Sequence, residues 1–214
     1  MTILSVIQNR RITEVLHFTT NRGLLGVLDR KALLPRAQLG KESRLEYILK
    51  NNCDIRRDGL WVNHNSLSVT KINGRFFDYS RGIHRGDTSL WWAILAFAPE
   101  VLAHDDVEFC TGNNIWPRVL RSGGVDGFER MFAASVPGTY NSTIFRSRSL
   151  GDSETTSDQA EVLYPGALSI DHLTAVYFAE QEHADMFVAQ ATTLRTELPS
   201  CSIIVNANQF EASR

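Results

Sequence analysis

The chain has few of the features that usually reveal a function. It has only three cysteines in 214 residues, Cys53, Cys110 and Cys201, an odd number with no Cys-x-x-Cys spacing. That argues against a disulfide framework and for free thiols in a reducing, cytoplasmic compartment. The six histidines are scattered and no His-x-x-x-His occurs, so no metal site is expected. Neither Gly-x-Gly-x-x-Gly nor Gly-x-x-x-x-Gly-Lys is present, which argues against a doubly wound dinucleotide fold and a phosphate-loop enzyme. The longest apolar run, residues 90–98, is too short to span a bilayer. Residues 1–10 lack a basic leader followed by a sufficient apolar run, so neither membrane attachment nor a signal peptide is expected. A strong charge of one sign is also missing. The formal net charge of -2 argues against tight, sequence-blind binding to long nucleic acid and leaves room for brief contact with a single strand.

What is present suits one domain over residues 1–214, with 43% hydrophobic and 21% charged residues. Strands are expected at residues 12–19, 60–62, 66–70, 89–98, 107–110, 159–164, 168–170, 174–178 and 202–205. Helices are expected at 22–32, 42–50, 125–133 and 179–192, with shorter helical pieces at 75–79 and 99–102. Thr20 and Asn21 are candidate N-caps for the first helix. Trp91 and Trp92 read as core. Strands and helices do not alternate regularly, so the fold class is α+β. Residues 111–158 are the least regular part, rich in glycine, and a stretch of that length inside a compact domain is usually functional or disordered.

Charge is unevenly placed. Residues 71–85 hold Lys71, Arg75, Arg81 and Arg85 against Asp78, and residues 118–148 hold Arg118, Arg121, Arg130, Arg146 and Arg148 against Asp126 and Glu129. Residues 149–185 hold eight acids and no Lys or Arg. Such segments form either a groove for a phosphate-bearing partner or ordinary surface charge.

The triplet Gln159-Ala160-Glu161 stands where a polar, turn-forming run, residues 151–158, enters an apolar strand. Strand alternation puts Gln159 and Glu161 on one face. A loop-to-strand junction suits a catalytic group, although an edge strand with a solvated face would read the same way. Two further pieces precede it in order: His17-Phe18-Thr19 with Asn21 and a Leu-rich helix, and Arg57-Asp58-Gly59 through Ser66-Leu67-Ser68-Val69. This order resembles the DarT family of ADP-ribosyltransferases, and more closely its guanine-modifying, DarT1-like branch.

The resemblance implies an ADP-ribosyltransferase-like fold, with two packed, mostly antiparallel sheets, flanking helices and a central cleft for NAD+ as co-substrate. Glu161 matches the catalytic Glu of the family, and Gln159 matches the residue two positions before it, where Gln goes with non-arginine acceptors such as guanine. His17, Phe18, Thr19, Asn21 and Ser68, with Ser66 beside it, match the NAD-binding strands. Arg75 is the favoured partner of the pyrophosphate and Arg57 the second choice. Residues 111–158 match the substrate-recognition loop region, in which Asn113, Asn114, Arg118, Arg146 and Arg148, with Arg121, would meet the nucleic acid. Two departures stand out. Ala32 replaces an expected Gly before Leu33-Leu34, and Lys71-Ile-Asn-Gly-Arg75 stands where the thymidine branch has Asn-Pro-Arg.

In such chemistry, breaking the nicotinamide–ribose bond builds an oxocarbenium-like cation, which a fixed carboxylate stabilises. Glu161 would fill that role. The resemblance also implies a toxin that needs an antitoxin, either an ADP-ribosyl hydrolase or a blocking protein. Transfer to RNA, transfer to a protein side chain, and a silent NAD- or nucleotide-sensing module on the same scaffold are the competing readings.

Overall fold

The computed structural model describes residues 1–39 and 59–211. The helix expected at 42–50, Cys53 and Arg57 lie outside the described residues. No described helix is long and apolar enough to cross a membrane.

The central element is β4 (Trp92–Phe97), which pairs along its length with β1 (Val15–Thr20) and with β11 (Leu173–Phe178), both antiparallel. Alternation along β4 sends Ala93, Leu95 and Phe97 into one apolar cluster and Ile94 and Ala96 into another. Burial on both faces explains why its sequence is a continuous apolar run. The order continues outward through β12 (Ser202–Val205), parallel to β11, on one side. On the other side it runs from β1 to β3 (His64–Val69), β9 (Glu161–Pro165), β5 (Glu108–Cys110) and β6 (Arg121–Gly123).

Where two packed sheets were expected, hydrogen bonding therefore links eight strands in one order. The join between β1 and β3 is narrow, with only Val15 opposite Val69 and Leu16 opposite Ser68. Beyond it the strands part, and the His17 ring takes over from the backbone ladder, its Nδ1–H donating to the Ser66 carbonyl at 3.0 Å. A carbonyl only accepts, so this bond fixes the tautomer with the proton on Nδ1.

The helices cover both faces. α1 (Ile3–Arg10), closed by a Thr2/Ser5 capping box, was not anticipated. α2 (Asn21–Arg30) starts at Thr20, whose side chain accepts from the Gly23 N–H, so of the two N-cap candidates Thr20 serves. The α2 chain then turns through Lys31 in the left-handed region into β2 (Ala32–Leu33), which pairs with β10 (Leu168–Ser169). A short α3 (Arg36–Leu39) follows.

The piece expected at 75–79 is a full helix, α4 (Gly74–Ile83), capped by Asn73. The strand expected at 60–62 is instead a 3-10 turn over Gly59–Trp61, with Leu60 91% exposed and no strand paired to it. Residues 111–158 are more ordered than the sequence suggested. They contain β6, α5 (Gly124–Arg130), and a hairpin of β7 (Ser135–Pro137) and β8 (Thr143–Phe145). The last helix, α6 (Gln181–Thr193), buries Ala184, Phe187 and Ala191.

Candidate active site

A pocket opens where β1 and β3 part. His17, Phe18 and Thr19 line it from β1, and Asn65, Ser66 and Ser68 from β3. From α2 come Gly23, Gly26, Val27 and Arg30, an i, i+3, i+4, i+7 series that puts one helix face on the pocket. Close packing needs glycine at 23, because a Cβ there would overlap Thr19 Oγ1. Arg36, Asn73, Phe76 and Glu161 complete the group that bears on the chemistry.

Glu161 opens β9 and is only 6% exposed. A carboxylate taken from water needs hydrogen bonds to remain charged. Its Oε2 receives two from Asn114, one from the backbone N–H at 3.2 Å and one from Nδ2 at 2.9 Å. Asn114 is held in turn by Arg121, whose Nη2 donates to the Asn114 carbonyl at 2.7 Å. The Arg121 guanidinium lies 4.4 Å from the Trp61 ring centre. Cys110 sits opposite Glu161 in the β5–β9 register, and burial, then the nearby Glu161 charge, push its thiol up to about 12 despite the opposing Arg121. It is therefore a neutral packing residue, not a nucleophile.

The run before β9 is tied down rather than mobile. Arg146 donates to the Glu154 carbonyl and to the Gly151 carbonyl, both at 2.7 Å. Lys71 bonds Glu154 at 2.8 Å, Thr70 Oγ1 donates to the Ser153 carbonyl, and Thr156 Oγ1 donates to the Ala133 carbonyl. Arg75 pairs with Asp158 at 3.1 Å.

These contacts sort the expected residues. Glu161, His17, Phe18, Thr19, Ser66 and Ser68 come together around one pocket. Asn114 reaches the pocket through Glu161 rather than by lining it. Gln159 does not share a strand face with Glu161. It lies in a turn before β9, its N–H bonded to Ser157 Oγ, and it does not line the pocket. Asn21 donates from Nδ2 to the Ser89 carbonyl, away from the lining residues.

Arg75 is spent on Asp158 with a largely exposed side chain, and Arg146 braces the loop. Asn113 caps its own turn through the Ile115 N–H, and Arg118 and Arg148 are exposed.

Sequence reasoning missed Arg30, Arg36 and Asn73. Arg30 was legible as the last member of the 23-26-27-30 face. Asn73 is 4% exposed, and its Nδ2 has no partner among the described residues while its Oδ1 caps α4. The arrangement sets a buried carboxylate, two guanidinium groups and a spare amide donor around one cavity. That suits a ligand carrying both anionic phosphates and a centre that becomes positive.

A search of curated proteins returned no match. Among solved structures, the fold is similar to Thermus sp. 2.9 DarT in complex with NAD+, at 12% identity and a TM-score of 0.63 over 92% of this chain and 97% of that one. The same protein in complex with ADP-ribosylated ssDNA gives 11% and 0.60 over 94% and 97%. Thermosipho africanus DarTG in complex with ADP-ribose gives 13% and 0.56 over 92% of this chain and 51% of that one. In sequence, residues 16–203 match the family described as ssDNA thymidine ADP-ribosyltransferase, DarT, and the chain belongs to that family.

Proposed function

We propose that this chain transfers ADP-ribose from NAD+ to a base of single-stranded DNA at the pocket between β1 and β3. The observation that carries the reading is Glu161, a buried carboxylate oriented by Asn114 in the same pocket as His17. In this reading the ribose next to nicotinamide lies against Glu161, which stabilises the positive charge that grows as nicotinamide leaves with the bonding electrons. His17, held by its Nδ1 bond to the Ser66 carbonyl, lines the same pocket and is the candidate to meet a ribose hydroxyl. Arg30, Arg36 and the Asn73 amide are the candidates for the pyrophosphate. Solved relatives of the same fold hold NAD+ and ADP-ribosylated ssDNA, which supports the pairing of donor and acceptor.

The acceptor base in this reading is guanine, on the strength of the resemblance to the guanine-modifying branch and the lack of an Asn-Pro-Arg motif; Gln159, in its turn outside the pocket, carries no part of it. Thymidine is the base in the family description and the competing acceptor. The reading extends to a cytoplasmic toxin guarded by an antitoxin, an arrangement in keeping with the likeness to DarTG. Mass spectrometry of single-stranded DNA and RNA oligonucleotides differing by one base, after incubation with protein and NAD+, tests it. Addition of ADP-ribose only to guanine-containing DNA is expected. Addition at thymidine would replace the acceptor, and no addition to any oligonucleotide would overturn the reading.

A further inference from the structure

β3 ends in a turn that its sequence should resist. Lys71 N–H donates to the Val69 carbonyl at 2.7 Å, a bond that skips one residue, and the residue between them, Thr70, has φ 64°. This is the positive-φ form of the γ-turn, which is rare and strained. Of the seven described non-glycine residues at positive φ, Thr70 alone is β-branched. Arg11 and Lys31 adopt that region as helix C-caps, where it is common. A β-branched side chain there is an outlier, whereas glycine would take the turn freely. Strain of this kind persists only where the surroundings over-determine it, and it gathers at working sites.

The surroundings of Thr70 are the two sides of the pocket. Its N–H donates to the Glu14 carbonyl at 3.3 Å, which continues the narrow β1–β3 join by one bond. Its Oγ1 donates to the Ser153 carbonyl at 2.9 Å, in the loop that leads to Glu161. Ser68, just before it, lines the pocket, and so do Asn73 and Phe76, just after it. Two more side chains of the same stretch reach the same loop in step, Lys71 to Glu154 at 2.8 Å and Arg75 to Asp158 at 3.1 Å. Both cations are exposed, so water and salt weaken these ion pairs. The Thr70 bond is partly buried and joins a neutral hydroxyl to a carbonyl, so it does not depend on charge. Beyond it the chain stays tight up to β9, with the Gln159 N–H on Ser157 Oγ and the Ala160 N–H on the Ser157 carbonyl, both at 3.2 Å. A shift of the loop is therefore carried into Glu161. Glycine at position 70 would lift the strain, but it would also remove the hydroxyl.

We propose that Thr70 is a positioning residue for the transfer reaction. Its forced turn brings the hydroxyl to Ser153 and so fixes residues 153–158, and through them Glu161, against the Ser68 and Asn73 side of the same pocket. Thr70 does not itself line the pocket and acts only through the groups it places. The proposal rests on the transfer reading above.

The test compares Thr70→Gly, which lifts the strain and deletes the hydroxyl, with Thr70→Ser, which keeps the hydroxyl on an unbranched side chain. Three quantities are measured: melting temperature, hydrogen exchange of the amides of residues 151–160 in the protein alone, and steady-state transfer with NAD+ to an oligonucleotide. Thr70→Gly should melt at or above the wild-type temperature, while exchange in 151–160 quickens. Its kcat should fall about tenfold or more with little change in KM for NAD+, since a misplacement of about 1 Å can cost on the order of 10²-fold. Thr70→Ser should recover most of the rate and the slow exchange. Wild-type exchange or wild-type kcat in Thr70→Gly overturns the proposal. So does a melting temperature that falls along with the rate in both variants, which is the mark of a purely structural threonine. If exchange responds as expected but the wild type modifies no oligonucleotide, the transfer reading falls and Thr70 remains the hold on the loop.

Discussion

At the scale of single residues, the carboxylate of Glu161 carries the heaviest consequence. Glu161→Gln keeps the shape and the Asn114 contacts but removes the charge, and a single electrostatic group of this kind is worth on the order of 10²-fold or more in rate. Transfer should fall by that amount in single-turnover assays while the fold persists, and unchanged turnover would remove Glu161 from the mechanism. Asn114 is a positioning residue. Asn114→Ala leaves the backbone N–H bond and deletes the Nδ2 bond, a loss of about 1.5–3 kcal/mol for a charged acceptor, so kcat should drop about tenfold or more with little change in KM for NAD+. Asn114→Asp sets a second carboxylate against the first and should be worse than Ala, because two neighbouring carboxylates resist ionising together. Equal rates in Asp and wild type would show that this amide does not orient Glu161.

At the scale of elements, the pieces that the sequence shows well are those whose own packing dictates them. The double-faced run of β4 and the 3.6-residue periodicity of α2 are legible because every position answers to the core. Three-residue strands such as β6, β7 and β8 carry too few positions for alternation to register. Gln159 misled for a related reason. Alternation was extended two residues too far, into a turn that Ser157 closes. Arg75 and Arg146 were read as ligand-facing because their partners, Asp158 and the carbonyls of Gly151 and Glu154, lie in a loop whose path no local pattern reveals. The bracing predicts that Arg146→Ala frees residues 151–158. Lost charge-assisted bonds of about 1.5–3 kcal/mol correspond to a fall of roughly 3–12 °C in melting temperature for a chain of this size. Limited proteolysis should gain a cut within that loop, and transfer should slow because Glu161 follows it directly. A loop that stays resistant in the variant would mean that Thr70, Lys71 and Thr156 hold it unaided.

At the scale of the whole molecule, the pocket depends on a sheet that stays continuous through two residue pairs between β1 and β3 and then splits around His17. Its walls come from both sides of that split. His17 and Thr19 belong to the strands joined to β4, whereas Asn65, Ser66 and Glu161 belong to the β3–β9–β5–β6 side. A ligand held by both sides tethers them, so binding should stabilise the molecule as a unit. For NAD+ at about 100 times its dissociation constant, mass action gives about 2.7 kcal/mol. In a chain of this size that is an upward shift of roughly 5–11 °C. Glu161→Gln is the form to use, since slow turnover leaves the dinucleotide intact during the scan. Nicotinamide mononucleotide, which lacks the adenosine half and has one phosphate, should reach less of the wall and shift melting less at the same concentration. Arg30→Ala combined with Arg36→Ala should erase most of the difference between the two ligands if those guanidinium groups hold the pyrophosphate. If NAD+ produces no shift in Glu161→Gln at millimolar concentration, the split between β1 and β3 is not where the dinucleotide binds, however well Glu161 is placed.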